Sequence, residues 1–445
     1  MENQKNRDLN DKFVSRRKLL KIIAAAGGAM ATSSSLPQSW VRPVVEVGLL
    51  PAHAFASAPT PGPTPTPTTV ASEPTVEPPP LGNEFAVMGT VDDGNRIVVF
   101  PTANTNLPTP TQENVSNLPA DAKPHGVSYF GEHGGLISDF SNARIFVVDL
   151  SSNKLTDTIS TASAGYNGMG TIAAAPGSGY ALACGSSSKL IVIKAPFAAS
   201  SNITSVTLPG TIASYQTQSI VFNAAKRAFV YHTTGISVLD PPYTQIEFTI
   251  PFNNATTGLL SSGAIAISPD GKTLLATTFD ENVYIFDAPF SSSTTPKTLS
   301  VGDSVNRRIK LGLSSNDTTP IAASAEDIDA LQGDGLDGIN IAPDGKKALV
   351  CTAVGSPKVF AISAPFKSNS KVEEIPLPSL TSRFEDIGIS PDSKLAIVTG
   401  NSVHNGAPAI FIRAPFTAKD AEVFAVDIIG GGRGAGAVRF QPPNT

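Results

Sequence analysis

Residues that carry chemistry are scarce in this chain of 445 residues, which has two cysteines, one tryptophan and five histidines and is only 16% charged. So little cysteine excludes a disulfide-stapled scaffold and a cysteine-rich metal site. Catalytic signatures are missing as well: the chain holds no G-x-S-x-G, no H-E-x-x-H, no C-x-x-C and no phosphate-binding loop. Gly430 to Gly436, a glycine-rich stretch with Arg433 in it, leads into a strand instead of joining strand to helix. It reads as a loop entering that strand, with an anion-binding nest as the alternative. Positive charge is not in excess either. The formal charge is −5, and residues 1–57 hold eight basic and four acidic side chains, so the chain without them carries −9. That balance argues against nucleic acid and anionic lipid as partners. No apolar run approaches the ~20 residues of a membrane span.

What is present is repetition. Ala195-Pro196-Phe197, Ala288-Pro289-Phe290, Ala364-Pro365-Phe366 and Ala414-Pro415-Phe416 each close an apolar alternating run, and Asp240-Pro241-Pro242-Tyr243 is a degenerate copy. The steps between the aromatic residues are 46, 47, 76 and 50 residues, a period near 47 with one insertion. Inside this repeat lies another: Ser268-Pro269-Asp270-Gly271-Lys272, Ala342-Pro343-Asp344-Gly345-Lys346 and Ser390-Pro391-Asp392-Ser393-Lys394. Proline presets φ, aspartate bonds nearby backbone and glycine accepts positive φ, so the phrase predicts a hairpin turn. The unit reads strand a, hairpin turn, strand b, polar turn, strand c ending at the proline, and a ragged strand d. Proline stops the ladder there and frees the aromatic residue to pack on a neighbouring unit. Strand c recurs at 96–100, 143–149, 189–194, 235–240, 282–287, 358–362 and 409–413, which makes seven copies.

The two ends complement each other. Residues 436–442 match strand a and its turn with no strand b after them, while 84–91 match strand b with no strand a before them. A ring in which the last strand joins the first leaves only short, protected edges. The expected fold is an all-β, seven-bladed β-propeller of four-stranded blades over residues 84–445, closed by the C-terminal strand. A β-solenoid is the alternative, and it does not account for complementary half-units.

The hairpin phrase, the period and Pro124-His125-Gly126-Val127 at the start of a strand a resemble the YVTN-type propellers, relatives of WD-repeat proteins found in bacterial envelopes. The resemblance runs from about Glu84 to Pro442. It implies the propeller fold and a binding or interaction role; the literal Y-V-T-N phrase is absent.

Residues 1–57 read as an address. Ser15-Arg16-Arg17-Lys18-Leu19-Leu20-Lys21 resembles the twin-arginine export signal, a short apolar run at 19–31 follows it, and Ala52-His53-Ala54 is the preferred cleavage site, with Ala56-Ser57-Ala58 next. Residues 58–83 are rich in proline and threonine and form an extended spacer, of which about 23 residues reach roughly 70 Å at ~3.1 Å each. The expected location is periplasmic or extracellular, with no span left after cleavage and the mature chain a monomer.

Cys184 and Cys351 occupy equivalent places in the third and sixth units, on opposite sides of the ring, and so read as buried free thiols. Counting from the hairpin turns puts His125, Gly170, Gln218, Gly263, Asp337, Glu385 and Gly436 at the start of strand a, and Asp139, Cys184, His232, Thr277, Cys351 and Thr399 opposite them. Strand a is innermost in a propeller, so His125, Gln218, Asp337 and Glu385 are expected at the channel mouth, facing water. They are the candidate ligand or metal residues; no cofactor is specified beyond a divalent metal as candidate, and channel lining is the competing reading. His232 reads as a hydrogen-bonded histidine at a strand end. The insertion at 291–336 is the other candidate contact region, and its Asp327, Asp329 and Asp334 lack the spacing of a calcium loop. The expected function is an exported binding module for a protein or surface ligand. The alternative is an extracytoplasmic enzyme, lactonase-like or oxidoreductase, with its site at the mouth.

Overall fold

The structure, a computed structural model, describes residues 85–92, 96–101, 111–165, 168, 170–212, 218–252, 262–278, 282–301, 335–352, 357–378, 383–401, 409–426 and 433–441. The export signal with Arg16 and Arg17, the spacer at 58–83, the glycine-rich residues 430–432 and most of the insertion, 302–334, lie outside the described residues.

Among the described residues, 28 strands form seven four-stranded antiparallel sheets. Six blades take their strands in order along the chain. Blade one is composite: its inner strand is the C-terminal Arg433–Phe440, which pairs with Phe85–Asp92, followed by Ile97–Pro101 and the two-residue Glu113–Asn114. The register runs Ala86 opposite Phe440, Val87 opposite Arg439 and Met88 opposite Val438. The two half-units seen in the sequence are therefore one blade. The seven inner strands touch in cyclic order, each meeting the next and the C-terminal strand meeting both blade seven and blade two, so the ring is shut. No helix among the described residues is long and apolar enough to cross a membrane.

The core is seven cores. Each apolar cluster draws on two consecutive blades, and the seven clusters account for all seven junctions of the ring. Strand periodicity explains the division. In Thr273–Thr278 of blade five, Leu274 and Ala276 pack toward blade four while Leu275 packs toward blade six. Successive side chains point to opposite faces, and both faces are covered, so middle strands read as continuous apolar runs.

Strand c occurs at Ile97–Pro101, Arg144–Asp149, Lys189–Lys194, Gly235–Leu239, Asn282–Asp287, Val359–Ser363 and Ala409–Arg413, within one residue of expectation at each end. The repeated prolines that follow, Pro196, Pro242, Pro289, Pro365 and Pro415, all have cis peptide bonds. The aromatic residue after each packs back on the preceding blade: Phe197 lies edge-on to Phe130 at 4.8 Å between centroids and Phe290 edge-on to Phe229 at 5.1 Å. Tyr243 meets Tyr180 of blade three at 5.6 Å, and Phe366 and Phe416 enter the clusters shared with blades five and six.

The hairpin phrase works as its residues require. Asp270 accepts the Ser268 hydroxyl at 2.6 Å and the Lys272 N–H at 3.0 Å, and Gly271 sits at φ +69°. Ser393 takes the same left-handed position at φ +59° without being glycine. Cys184 and Cys351 are buried, unbridged and in different clusters, as expected.

Candidate functional site

Most inner strands are bent where they reach the axis. The register with strand b slips by one residue between Pro124 and Val127, Ser262 and Ile265, Leu336 and Ile339, and Phe384 and Asp386, and a matching slip separates Val438 from Ala435 in blade one. An extra residue in one strand is a β-bulge, which unpairs a backbone group and re-aims a side chain. His125, Gly263, Asp337 and Glu385 all fall in these bulges. The freed backbone groups are taken by hydroxyls on strand b: Gly126 N–H donates to Ser138 Oγ at 2.9 Å and Ala264 N–H to Thr277 Oγ1 at 2.8 Å.

The same inner ends are tied across the junctions. Thr277 Oγ1 also bonds the Asp337 carbonyl at 2.6 Å, and Thr399 Oγ1 bonds the Gly436 carbonyl at 2.8 Å. His125 Nδ1 meets the Gly170 carbonyl at 2.9 Å, and Ile265 N–H donates to the Gln218 carbonyl at 3.0 Å. Tyr129 and Asn340 supply side-chain bonds to Arg439 and Ile387 backbone, and between blades three and four Ser219 N–H donates to Thr171 Oγ1 at 3.4 Å.

These four candidates do not stand in open water. His125 is 1% exposed, Gln218 6%, and Asp337 and Glu385 8% each. The expectation of solvent-facing residues is corrected here: the bulges fold the inner ends against neighbouring blades, and His125 lies 5.1 Å from the Phe140 ring. Two positions opposite them also differ. The hairpins of blades two and four are one residue shorter than those built on the S-P-D-G-K phrase, so Ser138 and Tyr231, not Asp139 and His232, match Thr277. Asp139, fully buried, organises a turn: it accepts from Ser141 and Asn142 N–H and from Arg144 Nε at 2.6 Å. His232 bonds Ser237 Oγ at 2.8 Å and Thr234 Oγ1 at 3.1 Å, and burial pushes its imidazole down to about 4.

Asp337 and Glu385, from adjacent inner strands, come within electrostatic reach of each other and of Asp386. Burial lifts the Asp337 carboxyl well above the ordinary carboxylate value, and the charges of Glu385 and Asp386 add to the lift. Asp386 is fully buried; burial raises its carboxyl, while Arg439 and the Val438 N–H pull it back. Sequence reasoning passed over Asp386 and Arg439. The available signal was a charged residue inside an otherwise apolar inner strand. Gln218 belongs to blade four and His125 to blade two, so neither is in this group. Among the described residues no three His, Cys, Asp or Glu side chains are arranged to hold a metal ion.

Fold and inner-strand geometry together define a closed seven-bladed β-propeller of four-stranded blades. No protein-family model matches the chain, and no curated protein matches it. Solved structures do. A protein from Lactobacillus plantarum is 13% identical with a TM-score of 0.57, over 80% of this chain and 99% of that one. The periplasmic gluconolactonase of Pseudomonas aeruginosa is 10% identical with a TM-score of 0.55, over 80% of this chain and 98% of that one. A β-propeller domain from Myceliophteria thermophila is 11% identical with a TM-score of 0.50, over 71% and 90%. At these identities the likeness shows the fold.

Proposed function

We propose that the chain is an exported β-propeller that acts as a protein- or ligand-binding module of the cell envelope or surface, of the YVTN type, carried out of the cytoplasm by the Arg16-Arg17 signal. One observation carries this reading: the inner ends of the blades are tied to one another, through the His125 ring and through the backbone carbonyls of Gln218 and Asp337. A scaffold made rigid in this way offers its contacts from loops. The insertion at 291–336 is the largest surplus of chain available for them. Export by the twin-arginine route expects that Arg16→Lys with Arg17→Lys leaves unprocessed precursor in the cytoplasm; continued release of mature protein would contradict it.

A second reading is favoured by the convergence of Asp337, Glu385 and Asp386 and by the likeness to the periplasmic gluconolactonase. It is a hydrolase with its site at the axis, where a carboxyl kept protonated beside an ionised one can serve as acid and base. Two assays separate them. Binding to isolated envelope fragments should survive Glu385→Gln and fail when residues 304–326 are removed, while gluconolactone is hydrolysed no faster than spontaneously. Lactone hydrolysis above the spontaneous rate that is lost in Glu385→Gln would replace the binding reading with the enzymatic one.

A further inference from the structure

The strand that shuts the ring has little side chain to guide it. Arg433–Phe440 holds only glycine and alanine between Arg433 and Val438. A shift of one residue against Phe85–Asp92 would turn Val438 and Phe440 away from the cluster they share with blade seven. A shift of two returns every side chain to its own face, so alternation alone does not choose between registers two residues apart.

Room forbids one of the two such shifts. Gly436 lies against blade two, where an added Cβ would sit 2.7 Å from the His125 carbonyl oxygen, so Val438 cannot take its place. The opposite shift meets no such obstacle there, because it brings Gly434 to the Gly436 position and Gly436 to the Val438 position.

What the opposite shift loses is a charge. Asp386, on Arg383–Ile389 of blade seven, is fully buried. Its Oδ2 accepts the Val438 N–H at 2.9 Å and pairs with the Arg439 guanidinium, which also donates to the Val438 carbonyl at 2.6 Å. Among the described residues its Oδ1 has no hydrogen-bond partner. After the shift the N–H of Gly436 takes over from that of Val438, since each backbone unit offers one. No such substitute exists for the guanidinium, because Ala437 comes to the place of Arg439. The carboxylate is then buried without its cation, the costly outcome of breaking a buried pair.

We propose that the Asp386–Arg439 pair sets the register in which the ring closes: Gly436 excludes one two-residue shift by its lack of room, and the buried carboxylate excludes the other by its need for a cation. Both charges lose water on docking, so the pair contributes to the choice of register more than to stability.

The test offers one cysteine two partners. In the full-length chain carrying Ala86→Cys, Val438→Cys and Phe440→Cys, mild oxidation and peptide mapping read which position joins residue 86. Residue 440 is opposite residue 86, and residue 438 is its diagonal neighbour at ~7–8 Å; the two-residue shift brings 438 opposite instead. Replacing both large residues also reduces the apolar preference for the observed register, so the ion pair carries more of the choice. Linkage to 440 should dominate. Arg439→Met in this background should raise the share linked to 438 roughly tenfold, and Asp386→Asn should raise it likewise. Tyr129→Phe removes the hydroxyl that donates to the Arg439 carbonyl at 2.9 Å, which loosens the same seam without touching the charge, and should leave the share as it was. An unchanged share in Arg439→Met and Asp386→Asn, or an equal rise in Tyr129→Phe, overturns the proposal. Should one of the two charge variants fail to fold, the other decides.

Discussion

The faces between blades and the inner ends of blades are built on opposite rules. Between blades, side chains alternate without interruption and every junction is filled by its own apolar cluster, as Leu275 toward blade six and Leu274 toward blade four show. At the axis the alternation breaks. Bulges free backbone groups, hydroxyls and His125 tie neighbouring strands, and carboxyls are buried next to one another. The first region makes the ring stable, through burial that does not depend on direction. The second makes the strands meet at fixed places, through hydrogen bonds that do.

Removing the C-terminal strand should break both at once. Deletion of residues 434–445 takes Val438 and Phe440 out of the cluster shared with blade seven and leaves the Asp386 carboxylate without Arg439. Cooperative thermal unfolding should be lost altogether; a truncated chain with the melting profile of the full one would contradict the closure.

The two regions can then be weighed singly. Leu275→Ala, at a fully buried junction position, should cost about 2–5 kcal/mol by transfer and cavity together. Thr277→Val, two residues along the same strand, keeps the shape but leaves the Ala264 N–H without its hydroxyl acceptor, for about 1–3 kcal/mol. Chemical denaturation of both variants checks the order. If Thr277→Val proves the costlier, the axis and not the faces dominates stability.

This contrast also explains how far the sequence could be read. Junction faces follow period two, so strand c was located within a residue in every blade, and the complementary ends predicted the composite blade. Hairpin chemistry was legible because Pro269, Asp270 and Gly271 each act locally. The bulges were not legible: an extra residue in an inner strand leaves the apolar pattern almost unchanged. His125 and Asp337 were placed at the axis, but as solvent-facing groups, because nothing in one strand announces how closely the next one approaches. The counts to Asp139 and His232 overshot for a related reason, a hairpin shorter by one residue. Asp386 shows the limit of reading blade by blade, since its partner Arg439 lies in a different unit.

A titration separates the regions by sign. His232 is buried neutral at the turn between Ala228–His232 and Gly235–Leu239, so folding excludes its proton between about 4 and 6.5. The unfolded chain binds that proton, and stability therefore falls as pH drops through this window, by roughly 3 kcal/mol in full. The melting temperature of His232→Gln should fall less between pH 7 and pH 4.5 than that of the parent; an equal fall would remove His232 from the account. The axial carboxyls act in the opposite direction.

The smallest effect belongs to a turn that touches neither region. Ser393 holds a left-handed conformation that glycine occupies freely in the equivalent turns at Gly271 and Gly345. Ser393→Gly should stabilise by up to about 1 kcal/mol, offset in part by the greater entropy of the unfolded glycine. A loss of stability would mean that the Ser393 hydroxyl, which accepts the Asp344 N–H at 3.0 Å, outweighs the backbone gain.

The central claim is that the two ends of the chain form one blade in one register, and a cross-link reads this directly. Ala86 and Phe440 face each other across the seam, while Val87 is opposite Arg439 on the other face. Cysteines on opposed residues lie within disulfide range, and a shift of one residue sends the side chains to opposite faces. Mild oxidation of Ala86→Cys with Phe440→Cys should join the N-terminal and C-terminal peptides within one chain. Val87→Cys with Phe440→Cys should stay reduced. A bond that forms only between chains, or forms equally in both variants, would contradict a ring closed in this register.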